Sequence, residues 1–182
     1  MKRKTGTETS PQVADLVVPQ SILDELVAHA RELDPHECCG FLAGTGHKVE
    51  RVYRIKNIVS LDGATEAAVF DEAKVRHLSR LSPEERAEIA FIMDAQEMFL
   101  AVKDMRKNGL TLQVVYHSHP HDPARPSVTD IKIANDWEEN WSRLNLTLPI
   151  YLLISLMDKA RPDVRAYWIK NGAVTPAQIA TG

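Results

Sequence analysis

The run Leu112-Gln-Val-Val-Tyr116, continued by His117-Ser-His119 and stopped by Pro120, most constrains how this chain can fold. Its apolar core reads as a buried strand. Side chains alternate faces along a strand, so His117 and His119 point the same way and Ser118 points the other. Pro120 lacks a backbone donor and ends the ladder, which leaves two imidazoles at the strand's C-terminal lip. A turn-rich loop follows, and Ser127-Val-Thr-Asp130 then opens a helix predicted to run from Val128 to about Leu144.

The remaining elements are compatible with one domain organised about that strand. At 182 residues the chain is long enough to bury a core without staples. A helix is expected from Pro19, with Ile22, Leu23, Leu26, Val27, Ala30 and Leu33 on one face and a stop at Pro35. Glu37-Cys-Cys-Gly-Phe-Leu-Ala-Gly44 reads as a short buried strand, and Val49 to Val59 as a strand paired back onto it. Ser82-Pro-Glu-Glu85 and Asp94-Ala-Gln-Glu97 are two helix starts. The second leads a stripe of Met98, Val102 and Met105 to a stop at Gly109. Whether Ala90 to Met93 is a strand or part of a longer helix is open, with a break favoured at Asp94. In residues 60–81, Val75, Leu78 and Leu81 form a short helical stripe. Near the C-terminus, Leu148 to Leu156 and Val164 to Trp168 read as strands. Ile131, Ala134, Trp137 and Trp141 give the helix after Ser127 its buried face. The expected class is α/β (α+β), a central mixed sheet flanked by helices. Residues 1–15 are expected to be a disordered tail, 16–170 the domain and 171–182 a C-terminal tail.

Charge and cysteine usage exclude several functions. With 22 basic and 25 acidic residues the net charge is -3, no footprint for nucleic acid or an anionic membrane. No apolar stretch approaches the roughly 20 residues of a membrane span, and none follows the basic start Met1-Lys-Arg-Lys as a signal peptide requires. Cys38 and Cys39 are adjacent and no third cysteine exists, so there is no disulfide framework. A soluble, cytoplasmic protein is expected.

The opening stretch has two explanations. Ser127 and Asp130 have the spacing of a helix capping box, a purely structural device. His117, His119 and Asp130 are also a metal-ligand set: a hydrolytic zinc takes three nitrogen or oxygen ligands and leaves a fourth position to water. Such chemistry needs a separate carboxylate to move protons and a donor for the oxyanion, and Ser127 is placed for the latter. Glu37 is a good candidate for the carboxylate because it precedes a strand that should neighbour His117. Glu50, Glu66 and Asp122 compete on chemistry alone. Of the other histidines, His29, His36, His47 and His77 are expected on loops or solvated faces, and His121 is expected to be turned away by Pro120.

These residues resemble the JAMM or MPN-type metallopeptidases. His117-Ser-His119, seven residues (120–126) and Ser127-Val-Thr-Asp130 fit their His-x-His, Ser-x-x-Asp pattern, and Glu37-Cys-Cys-Gly resembles their glutamate-bearing word. Met93-Asp94 with the helix ending at Gly109, and Pro149-Ile-Tyr-Leu-Leu-Ile-Ser, resemble the neighbouring segments of short prokaryotic members. The likeness spans about residues 16–169. It implies one zinc ion on His117, His119 and Asp130, Glu37 as general base and then acid, and Ser127 as oxyanion donor. The implied reaction is hydrolysis of a peptide or isopeptide bond after the C-terminal Gly-Gly of a ubiquitin-like or sulfur-carrier protein. Its thin tail could be held along a sheet edge. The segment at about 60–92 is longer than in compact members, which suits a lid, a partner-binding surface or a homodimer contact. Two rivals exist: a RadC-like protein associated with DNA repair, disfavoured by Glu37-Cys-Cys-Gly and the lack of a basic face, and a non-catalytic MPN interaction module, disfavoured by the intact Glu37.

Overall fold

In the computed structural model the described residues are 14–59, 69–143 and 147–182, the side chains of 141–143 excepted. Their strands form one eight-stranded mixed sheet. In chain order the elements are β1 (Leu16–Val18), α1 (Gln20–Leu33), β2 (Cys39–Thr45), β3 (Lys48–Ile55), α2 (Glu72–Leu78), α3 (Pro83–Ala87), α4 (Ala95–Lys107), β4 (Thr111–His119), α5 (Val128–Arg143), β5 (Ile150–Ser155), β6 (Asp163–Lys170), β7 (Ala173–Pro176) and β8 (Ile179–Thr181). The strand order is β7-β6-β5-β4-β2-β3-β1-β8. The histidine strand β4 is thus interior, antiparallel to β2 and parallel to β5.

The pleat divides the core into two layers. Tyr116, Cys38, Leu42, Leu152 and Ile154 face α1, whose Ile22, Leu26 and Ala30 are buried against them. Val115, Cys39, Phe41 and Tyr151 face the other way, onto Met105 and Ala101 of α4 and Ala134 of α5. Ile131 and Trp137 pack into that second layer as half-buried residues, while Trp141 lies outside the described side chains. Alternation also separates the two cysteines, one thiol per layer, both free and buried.

Between β3 and α4 the chain builds a lobe with its own small core of Val59, Phe70, Leu78, Ala87, Ala90 and Ile92, closed by Ile133 of α5. Val75 and Leu81 pack on it, as their helical spacing anticipates. The start at Ser82 forms a full capping box with Glu85, yet α3 has only five residues. The chain then runs extended, with Asn57 bridged to Met93, until Asp94 caps α4 by accepting the Glu97 amide. The break therefore falls at Asp94.

One expectation changes. Residues 171–182 are not a tail: they carry β7, which pairs with β6, and β8, which runs parallel to β1. The turn Asn171-Gly172, both with positive φ, reverses the chain, and Asp15 accepts the Gln178 amide at 2.7 Å. Most of the expected N-terminal tail, and residues 60–68 of the insertion, lie outside the described residues. Among the described residues no helix is long and apolar enough to cross a membrane.

Candidate metal centre

β4 delivers His117 and His119 to its C-terminal end with both rings on the α5 side, and both are buried. Their Nε2 atoms lie 3.0 Å apart. Asp130, in the first turn of α5, brings Oδ1 to 3.4 Å from His117 Nε2 and Oδ2 to 3.5 Å from His119 Nε2. The three residues can each turn one ligand atom to a common point, all within 4.8 Å of one another. Metal–ligand distances of about 2.0–2.1 Å at tetrahedral angles place ligand atoms roughly 3.3 Å apart. The spacing found here fits a small divalent cation.

Tautomer and electrostatics fit too. His119 Nδ1 lies 2.9 Å from the Pro123 carbonyl, which can only accept, so Nδ1 carries a proton and Nε2 is the atom that would face a metal once it gives up its own. Phe91 stacks on His117 with ring centroids 4.6 Å apart and fixes that imidazole by packing. Burial opposes charge on His119, but the Asp130 carboxylate, Glu37 and the Pro123 carbonyl outweigh it and raise its pKa to about 9. Burial likewise works against the Asp130 carboxylate, yet His117 and His119 hold it well below the usual range. The centre has a field that gathers positive charge.

The capping box and the metal set are one arrangement. The Ser127 amide donates to Asp130 Oδ2 at 2.7 Å, and the Asp130 amide donates to Ser127 Oγ at 3.1 Å. The reciprocal bonds that start α5 therefore aim the carboxylate at the histidines. Ser127 Oγ uses a lone pair as the cap, leaving its hydroxyl proton for a group in the cleft.

That cleft, about 560 Å³, runs between the insertion lobe and the loop after β4 and is lined by Glu37, Lys74, His119, Arg125, Ser127 and Asp130 among others. Glu37 is only 7% exposed, and burial raises its carboxyl well above the ordinary glutamate value. Its backbone is pinned on both sides: its amide donates to the Ala87 carbonyl at 2.7 Å and its carbonyl accepts from Asn57 Nδ2 at 3.1 Å. The competing carboxylates separate by environment. Glu50 is exposed on the β2–β3 hairpin beside Thr45, Asp122 lies exposed on the cleft rim, and Glu66 is outside the described residues.

Other placements refine the sequence analysis. His121 turns away from the metal pair, its Nε2 3.0 Å from Glu88 of the insertion lobe. His29 is not solvated: it is buried in the α1 layer with Nδ1 3.0 Å from the Tyr116 hydroxyl. Among the described residues β2 and β5 flank β4 on either side, so β4 itself offers no open edge beside the cleft. Two supporting residues carried no sequence signal. Ser118 clamps β2 to β4, and Asn57 bonds Glu37, Ala90, Val59 and Ile92 at once. An asparagine after a strand is common, and its fourfold role depends on the insertion folding back over it.

This centre on a mixed α/β sheet places the molecule among the JAB/MPN-type domains. The chain belongs to the prokaryotic homologs of the JAB domain, the family description matching residues 19–170. It is 29% identical over 164 residues to the CysO-cysteine peptidase of Mycobacterium tuberculosis, covering 90% of this chain and 89% of that protein. It is 34% identical over 119 residues to a Thermus thermophilus protein named "Probable TtuB-protein conjugate cleaving protease", covering 65% of this chain and 63% of the relative. A solution structure of a Desulfitobacterium hafniense protein, 33% identical, superposes with a TM-score of 0.64 over 92% of each chain. The named relatives are peptidases, and the chain is an enzyme of that class.

Proposed function

We propose that this chain is a zinc-dependent peptidase that hydrolyses the amide bond after the C-terminal Gly-Gly of a sulfur-carrier or other ubiquitin-like protein. The observation that carries the proposal is the buried Glu37 carboxyl in the same cleft wall as His119 and Asp130. His117, His119 and Asp130 would hold one zinc ion per chain. Bound there, zinc supplies Lewis-acid chemistry, lowering the pKa of water to about 7 and polarising a carbonyl.

The chain's own residues do the rest. Glu37, with its proton affinity raised by burial, accepts the proton of the attacking water and returns it to the departing amine. Ser127 donates its hydroxyl proton to the oxygen of the scissile carbonyl as negative charge develops there. The names of the two relatives support a sulfur-carrier substrate, since one refers to CysO-cysteine and the other to TtuB conjugates.

The test is a sulfur-carrier protein extended beyond its Gly-Gly, incubated with wild type and with Glu37→Gln, with bound metal measured in both. Cleavage by wild type and none by a metal-loaded Glu37→Gln is the expected result. Equal cleavage by both removes Glu37 from the reaction. Metal binding without cleavage of any diglycine fusion favours the interaction module instead.

A further inference from the structure

The cleft contains a cation that the proposed chemistry does not use. Its charged lining comprises the carboxylates Glu37, Asp122 and Asp130, the metal-site His119, and two permanent cations, Lys74 and Arg125. The two cations differ in how they are employed. Lys74 is half-buried on α2, its Nζ donates to the Ile89 carbonyl at 2.9 Å, and its charge acts on Glu37. Arg125 is exposed at the mouth, two residues before Ser127, and its guanidinium has no hydrogen bond or ion pair with the described residues.

Although its side chain is free, the backbone beneath it is fixed. The Arg125 amide donates to the Pro123 carbonyl at 2.8 Å. The preceding Ala124 is buried and its carbonyl accepts from the Tyr167 hydroxyl at 2.7 Å. Ser155 Oγ donates to the Asp122 carbonyl at 2.6 Å, and His119 Nδ1 holds Pro123. The loop that carries Arg125 is therefore tied to β4, β5 and β6, and the base of the side chain keeps a set position relative to the centre. Arginine offers five donors in a planar fork matched to a carboxylate. Of the two permanent side-chain cations in this cleft, Arg125 is the one whose charged group is without a partner among the described residues.

From this geometry we infer that Arg125 binds the free α-carboxylate of the residue released from the carrier's C-terminus. The inference rests on the function proposed above and narrows its substrate class. A carrier extended linearly by one residue presents a carboxylate near the scissile bond, whereas a carrier joined to a lysine side chain presents none there. Arg125 is thus a specificity-determining residue, and the linear, C-terminally extended carrier is the favoured substrate.

The test uses a sulfur-carrier protein ending Gly-Gly-Ala, prepared as the free acid and as the C-terminal carboxamide. Wild type should show a kcat/KM for the acid about 10-fold or more above that for the amide, as expected for a charge-assisted pair. In Arg125→Ala that ratio should fall to near one, and Arg125→Lys should recover part of it. A parallel binding measurement uses Glu37→Gln, with and without Arg125→Ala, and the same two ligands. There the acid should bind more tightly only when Arg125 is present. Failure of wild type to cleave either form counts against the proposed peptidase function, and the binding measurement still decides on Arg125. Equal handling of acid and amide by wild type overturns the inference, as does an equal loss on both in Arg125→Ala.

Discussion

Ser118 and Cys38 are joined twice across β4 and the start of β2. The Cys38 amide donates to Ser118 Oγ at 2.8 Å, and the Ser118 amide donates to the Cys38 carbonyl at 2.9 Å. Ser118 lies between the two histidines and Cys38 follows Glu37, so this pair of bonds ties the Glu37 segment to the candidate metal ligands.

Ser118→Ala removes the hydroxyl and leaves the Cys38 amide buried without its acceptor. The expected loss of stability is about 1–3 kcal/mol. Turnover of a diglycine fusion should fall about 10-fold or more, because a small misplacement of a catalytic group is costly, while metal stoichiometry stays at that of wild type. Denaturant melts, metal analysis and steady-state kinetics on one preparation separate these effects. A loss of metal equal to the loss of rate would show that Ser118 supports the ligands rather than Glu37.

Asp130 starts a helix with the same carboxylate that would complete the proposed ligand set, and two variants separate those duties. Asp130→Asn keeps an oxygen to accept the Ser127 amide but gives up the charge. It should retain most of the stability and lose metal. Asp130→Ala loses metal and about 1 kcal/mol of helix capping as well. His119→Ala should also empty the centre. His121→Ala, which only breaks an ion pair with Glu88, should leave about one zinc per chain. Metal analysis with thermal melts in the presence of a chelator checks all four variants.

The arrangement of the candidate site was legible in sequence because its groups lie on regular periods. His117 and His119 occupy alternate strand positions, and Ser127 and Asp130 have the spacing of a capping box, so their geometry follows from local structure. Glu37 was legible as a candidate, and its place near the histidines depends on the register that sets Cys39 opposite His117. Helices with one apolar stripe, such as α1, read correctly for the same reason. What escaped is long-range. β8 has three residues and is a strand only because β1 offers a parallel edge. His29 sits on a helix otherwise read by its aliphatic face, and its burial depends on Tyr116, 87 positions away.

Gly40 gives a packing prediction that turns on close approach rather than backbone freedom. A Cβ at this position would lie 2.2 Å from the Tyr53 carbonyl oxygen and 2.6 Å from the Tyr116 hydroxyl. The first neighbour is backbone of the adjacent strand β3 and cannot rotate away. Gly40→Ala should therefore cost at least about 3 kcal/mol, the upper end of ordinary overpacking. It should also lower activity by shifting β2 and with it Glu37. Chemical denaturation measures the first effect, and residual turnover in the still-folded fraction measures the second. A near-neutral Gly40→Ala would mean that β2 and β3 can part without disturbing the sheet.

His29 makes stability depend on pH. Burial, with the nearby Arg54 charge, lowers its pKa from 6.5 to about 4, although Glu32 acts in the opposite sense. The buried Tyr116 hydroxyl has its pKa raised by burial and keeps its proton, so it can donate to a neutral His29 Nδ1. Between pH 6.5 and about 4 the unfolded chain binds a proton at this position that the folded chain refuses. Stability is therefore lost as pH falls through that window and is unaffected by this group above it. Allowing for solvent screening, the loss should be about 1–3 kcal/mol. His29→Gln has no proton to gain and should flatten this part of the profile. Denaturant midpoints of both proteins from pH 7.5 down to 4 measure it, the wild-type minus variant difference becoming more negative as the solution is acidified. Parallel profiles would show that His29 titrates alike in the folded and unfolded chains.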